Sequence, residues 1–121
     1  MWQGMNQRRF PRIKSRCDVK LREGRHSTAI STVTENIGLG GLCVLLDRGM
    51  DIFASVDLEL YIDDGKSPIK TQGTIVWVVP RSGFDKKKSS FDTGIEFSVL
   101  SGDDKARLEA VLDKIESHHY R

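Results

Sequence analysis

A chain of 121 residues with 38% hydrophobic and 30% charged content has the size and balance of one globular domain with one core, and is too short for two comfortable ones. Its net charge is only +2, no apolar run approaches the roughly 20 residues of a membrane helix, and the first twelve residues lack the apolar segment of a secretory signal. A membrane span and export are therefore not expected, and the cytosol is the expected location.

The start of the chain, Met1 to Asn6, reads as a loose lead into a basic segment: Arg8, Arg9, Arg12, Lys14 and Arg16 crowd together, while Asp103, Asp104, Glu109, Asp113 and Glu116 weight the other end. Pro11 interrupts any helix and biases Phe10 toward an extended conformation, so residues 1–16 read as a flexible basic arm leading into residues 17–121, a single domain. Cys17, Val19 and Leu21 alternate with charged residues, the pattern of a half-buried strand. After a turn at Glu23-Gly24, Ser27 to Glu35 is rich in Thr, Ser, Ile and Val and reads as a second strand, broken by Asn36 to Gly41. Leu42 to Leu46 is a short buried strand, ended by Asp47-Arg48-Gly49. Val56, Leu58, Leu60 and Ile62 give the cleanest alternation in the chain, closed by the turn Asp63-Asp64-Gly65.

Ile69 to Val79 is a long strand, with Thr71, Gly73, Ile75, Trp77 and Val79 expected on one face and Gly73 marking a bulge or bend. A polar loop over Pro80 to Ser90 contains Lys86-Lys87-Lys88, read as a solvated hairpin tip. Phe91, Thr93, Ile95 and Phe97 form the last strand, interrupted by Gly94. The period then changes: Leu108, Val111, Leu112 and Ile115 follow helical spacing, and Ser101 with Asp104 three residues on resembles a capping box, which predicts a helix from about Asp103 to Ser117. Its apolar stripe needs a barrel end or sheet face to dock on. About six strands with short turns and one terminal helix indicate a mainly β fold, an antiparallel barrel or sandwich, in which closure would remove exposed edges.

Cys17 and Cys43 are the only cysteines, and beside apolar neighbours they read as two small buried thiols. His26, His118 and His119 lack any spacing with Cys or carboxylates that suggests a metal site. No Ser-His-Asp, Cys-His or paired-carboxylate arrangement gives catalysis a foothold, so the chain reads as a binding protein and not an enzyme. Trp77 reads as a core or barrel-rim residue, with stacking on a ligand as the lesser reading.

Two segments carry the functional signal. Arg8 and Arg12, four apart on an extended arm, point to the same side, with Arg9 opposite unless Pro11 bends the arm. A guanidinium fork pairs two phosphate oxygens, bridges O6 and N7 of guanine, or stacks on a purine, so these arginines suit either phosphate or base. Asn36 can accept from the Watson–Crick edge of guanine, while glycines at 38, 40 and 41 allow close backbone approach and offer unobstructed N–H groups.

In this order, ahead of a run of strands, Arg8-Arg9-Phe10-Pro11-Arg12 and Asn36-Ile37-Gly38-Leu39-Gly40-Gly41 resemble the R-x-x-x-R and (D/N)-x-S-x-x-G signatures of PilZ domains. The resemblance runs from about Gln7 to Ser117, and only these two motifs are specific. It implies a six- to seven-stranded antiparallel barrel with a C-terminal helix. It also implies cyclic di-GMP as ligand, bound by Arg8 and Arg12 with Arg9 as a third candidate, by Asn36 at the guanine edge, and with backbone shaping by Gly41. Gly38 stands where the signature has serine, and one missing neutral hydrogen bond costs about 0.5–1.5 kcal/mol, up to roughly tenfold in affinity.

The resemblance further suggests that ligand pins the arm against the Asn36 loop and presents a new surface to a downstream protein partner. Two rivals remain at this stage. One is a PilZ-like adaptor that works through protein contacts without ligand. The other is a small nucleic-acid-binding barrel, disfavoured by 7% aromatic content and by the lack of aromatics interleaved with basic residues.

Overall fold

Alternating apolar residues give six strands in the order the sequence predicts: β1 (Asp18–Arg22), β2 (Ile30–Ile37), β3 (Gly41–Leu46), β4 (Ser55–Tyr61), β5 (Ile69–Arg81) and β6 (Ser90–Val99), followed by helix α1 (Gly102–His119). The structure is a computed structural model that describes residues 16–24, 28–81 and 90–119, with helix side chains described through Lys114. The candidate residues Arg8, Arg9 and Arg12 lie outside the described residues, as do His26, the lysine run over 86–88, and the side chains of His118 and His119.

The strands close into an antiparallel barrel in the order β1-β2-β3-β6-β5-β4, with β4 returning to β1. Because side chains alternate across a strand, each strand lends one set to the interior. Val19, Leu21, Leu42, Val44, Leu58, Leu60, Ile75 and Ile95 are each at most 2% exposed and form one continuous core. Two buried threonines face inward with bonds of their own: Thr34 Oγ1 accepts from the Cys17 N–H at 2.9 Å, and Thr93 Oγ1 donates to the Phe91 carbonyl at 3.2 Å. Cys17 and Cys43 are both buried free thiols. Burial pushes the Cys17 thiol up to about 11, so it stays protonated and unreactive at neutral pH.

Three bulges decide which face later residues occupy. In β2, Thr34 pairs with Val44 and Asn36 with Cys43, leaving Glu35 as the extra residue. Asn36 and Ile37, read from the sequence as opening the turn, are therefore paired strand residues, and the turn is confined to 38–40. The bend expected at Gly73 is present: Gln72 pairs with Val99 and Gly73 with Phe97, which leaves Ser98 of β6 unpaired. The third bulge is in β5, where Ile75 pairs with Ile95 but Trp77 with Gly94, so Val76 is extra. This last shift overturns the single face expected for Gly73, Ile75, Trp77 and Val79. Ile75 is fully buried, Val78 packs on the core, and Val79 is 51% exposed.

The helix begins as its sequence dictates. Ser101 Oγ accepts from the Asp104 N–H at 3.1 Å, capping the first turn, and Asp103 and Asp104 place negative charge at the positive end of the helix dipole. Leu108 and Leu112 complete the barrel core and Val111 packs against it. A polar lock fixes the docking. Arg107 donates to both carboxylate oxygens of Asp64, at 2.8 and 3.1 Å, and to the Ser67 carbonyl at 2.6 Å, tying α1 to the β4–β5 loop.

This lock has a pH signature. The Arg107 guanidinium holds the Asp64 carboxyl below its usual value, helped by the Lys66 N–H at 3.1 Å. A depressed folded-state pKa stabilises fully above the unfolded value, near pH 4, and the contribution is lost as pH falls through the folded value. Arg107→Ala should therefore lower Tm at pH 7, and that gap from the parent should narrow, without vanishing while the Ser67 bond remains, as thermal melts are taken down through the lowered folded-state value of Asp64.

Candidate functional site

Residues paired across antiparallel strands point to the same face, so register identifies what lies together outside the barrel. Leu42 and Val44 point inward, hence Cys43 between them points outward. Cys43 pairs with Asn36 on one side and Gly94 on the other, and Gly94 pairs with Trp77. The result is a transverse row, Asn36–Cys43–Gly94–Trp77, crossing β2, β3, β6 and β5 on the barrel's outer surface.

The row is shallow because two of its strands approach with little side chain. Gly94 is covered by the Trp77 indole: a Cβ on Gly94 would overlap indole Nε1 and Cε2. Trp77 thus belongs neither to the core nor to the rim, where its sequence context placed it. It is a half-buried outer-face residue lying on a glycine across the strand pair. Beside the row, Gly41 pairs with Glu96, and a Cβ there would fall on the Ile95 carbonyl oxygen. Glycine at 41 is therefore demanded by the β3–β6 approach. Among the described residues the glycines with positive φ are Gly24 and Gly65, so the turn glycines at 38, 40 and 41 supply space instead of left-handed backbone. The Gly38 N–H donates to the Gly41 carbonyl at 2.9 Å, and the Gly40 carbonyl accepts from the Phe97 N–H at 2.9 Å, which seats the turn on β6.

At the Trp77 and Asn36 ends the row meets a charged cluster. Arg81 of β5 reaches the bulged Glu35 at 3.3 Å and Asp92 of β6 at 3.4 Å, and Cys43 Sγ lies 3.8 Å from Glu35 Oε1. Hydrogen bonding with Asp92 pushes the Glu35 carboxyl above its usual range, burial adds to the effect, and Arg81 opposes it. Glu35, Cys43 and Asp92 could in principle crowd a metal ion, but the guanidinium already supplies the positive charge between the carboxylates. With Arg81 so engaged, the described floor offers an amide, close backbone approach at its glycines and an aromatic face, a surface suited to a base more than to phosphate.

The structure thus brings Asn36, Gly38 and Gly41 together at one edge of this row, as their spacing implied. The sequence offers Trp77 beside a ligand only as the lesser reading, and gives no sign that Glu35, Asp92 and Arg81 gather next to the row. The available clue was Gly94, an outward glycine between inward Thr93 and Ile95, which an aromatic neighbour on the paired strand would cover.

Comparison with known proteins agrees with this architecture. The PilZ domain family model matches residues 6–114. The chain superposes on the PilZ domain of YcgR from Escherichia coli, solved with c-di-GMP, at TM-score 0.72 and 14% identity, covering 94% of this chain and 95% of that one. It superposes on the Bacillus subtilis inhibitor of motility MotI/DgrA at TM-score 0.70 and 18% identity (96% of this chain, 53% of that one). For the K. pneumonia MrkH–c-di-GMP complex the TM-score is 0.69 at 20% identity, over 97% of this chain and 57% of that one. The chain therefore spans about half the length of MotI and MrkH. No curated protein sequence matches it. A closed six-stranded barrel capped by one helix, and a family match running from the arginine segment into that helix, establish that the chain belongs to the PilZ domain family.

Proposed function

We propose that this PilZ domain is a receptor for cyclic di-GMP, bound on the outer face of β2, β3, β6 and β5, and that it passes the signal to a protein partner in the cytoplasm without catalysing a reaction. Arg8 and Arg12 engage the phosphates or the Hoogsteen edge of guanine, with Arg9 as the third arginine. Asn36 accepts from a guanine edge, Gly38 and Gly41 let the ligand approach the backbone closely, and Trp77 offers a face on which a base stacks. The division into a basic arm, residues 1–16, and a barrel, residues 17–121, is part of this reading.

One observation carries it. Cys17 and Thr34 exchange two hydrogen bonds, Thr34 N–H to the Cys17 carbonyl at 2.9 Å and Cys17 N–H to Thr34 Oγ1 at 2.9 Å, so the arm joins the barrel two residues from Asn36. Arg12 is five residues upstream of Cys17, a reach of at most about 17 Å. The arginines can therefore meet the row from outside, where the floor itself has little free positive charge to offer a dianion.

Ligand then orders the arm over Asn36 and creates the surface read by the partner. Hydrogen exchange tests this directly: adding cyclic di-GMP should slow exchange across residues 7–16 while the core of β4 stays as it was. Unchanged exchange over 7–16 with ligand bound would remove the arm from the mechanism.

A further inference from the structure

Among the described residues one non-glycine position has a left-handed backbone, Phe53, with φ of 74°. This region crowds the Cβ of an L-residue, and glycine or asparagine occupies it with far less strain. The backbone there is fixed by its surroundings. Phe53 N–H donates to the Ile75 carbonyl at 2.7 Å, Ile75 N–H donates to the Ala54 carbonyl at 2.9 Å, and Ala54 N–H donates to the Asp51 carbonyl at 3.2 Å. The side chain repays none of the strain by burial, since Phe53 is 78% exposed and its neighbour Ile52 is 49% exposed. Folding alone would favour glycine at this place.

A strained, rigidly presented aromatic beside an exposed isoleucine has the features of an interface anchor: large apolar area, little side-chain entropy to lose, and a backbone already in position. The surrounding charge narrows the partner. Asp47 and Asp51 lie on the same loop, both exposed, against exposed Arg48; on the neighbouring strands exposed Asp57 is matched by Arg22 across β1, and exposed Glu96 pairs with Thr74 beside Ser55, so the loop's surroundings are acidic on balance. Among the described residues, the cavity of about 250 Å³ where α1 meets the barrel end carries Asp18 and Asp63 as well as Arg16, so it offers this loop of a second copy no net basic rim.

We infer that the β3–β4 loop, through Phe53 and Ile52, is the docking point for a protein partner that presents an apolar pocket rimmed by lysine or arginine. The loop's backbone bonds go to Ile75, next to the Val76 bulge that turns Trp77 outward, so this surface adjoins the ligand face without being part of it. The inference does not need the ligand reading to hold.

The test places a photo-crosslinking phenylalanine analogue at position 53 of the full-length protein in its native cells, with exposed Lys70 as the control position. The captured protein is then purified and its affinity measured against the parent and Phe53→Gly. The expected result is one heteromeric adduct from position 53 and none from position 70. Affinity should weaken with salt and fall at least tenfold in Phe53→Gly. The same substitution should raise Tm, by about 3–8 °C, because it releases the strained backbone. No adduct at 53, an adduct only with a second copy of the chain, unchanged affinity in Phe53→Gly, or a lowered Tm would each overturn the proposal.

Discussion

Arg12→Ala should abolish most of the thermal stabilisation that cyclic di-GMP confers, while leaving the melting temperature of the ligand-free protein where it was. The core of the described residues runs from Cys17 to Leu112 and draws on no arginine, so truncating the Arg12 side chain is expected to leave it intact. The effect on binding is different in kind. A charge-assisted hydrogen bond contributes about 1.5–3 kcal/mol, so one arginine accounts for roughly a 10- to 150-fold change in affinity. Ligand-induced stabilisation follows the ratio of ligand concentration to Kd, and a hundredfold weaker Kd at fixed ligand removes about 2.7 kcal/mol of it. Arg8→Ala should behave alike, and the double variant should show no ligand-dependent shift in a thermal melt. A full shift in the double variant would mean that the ligand uses some other positive charge.

Much of this fold is legible in the sequence because its strands are half-buried and its helix is amphipathic. Val56, Leu58, Leu60 and Ile62 announce β4 by strict alternation, and Ser101 with Asp104 marks the start of α1 at the residue where the cap forms. The losses come from pairing, which no single strand encodes. Periodicity carries Ile75, Trp77 and Val79 to one face, but the extra residue Val76 inverts the phase and delivers Trp77 to the outside. Glu35 does the same in β2 and keeps Asn36 within the sheet. A bulge is an agreement between two strands about register, so its position follows from the partner as much as from the strand itself. Phe53 escapes a sequence reading for another reason: turn chemistry expects glycine or asparagine where the backbone turns left-handed, and an aromatic there breaks the local rule.

Gly41→Ala should be among the most damaging single-methyl substitutions in the chain. Its Cβ would coincide with the Ile95 carbonyl oxygen and approach Glu96 Cα and the Ile95 carbonyl carbon to 3.1 Å. All three are backbone atoms, so no rotamer change relieves the clash. The strands must part at Gly41–Glu96, the end of a six-pair ladder that runs to Leu46–Phe91. Overpacking of this kind costs about 3 kcal/mol, or roughly 10–15 °C in Tm for a domain of this size. Gly102→Ala is the matched control, because nothing lies within 4 Å of a Cβ there, and its melting temperature should stay near that of the parent. Equal Tm values for the two variants would show that β3 and β6 do not approach as closely at Gly41 as described. Because Gly41 also borders the row at Asn36, binding in Gly41→Ala should be compared only at temperatures where the variant remains folded.

On this reading the outer row and the arginine arm together form a cyclic di-GMP site. Isothermal titration of the purified full-length chain with cyclic di-GMP, with GTP and a linear guanine dinucleotide as controls, tests it most directly. The expected result is saturable heat with micromolar or tighter affinity for the cyclic dinucleotide, much weaker response to both controls, and a stoichiometry that tells whether one ligand or a stacked pair is bound. No heat at high ligand concentration, together with no displacement of a labelled cyclic dinucleotide, would contradict it and leave a PilZ adaptor that works through protein contacts alone.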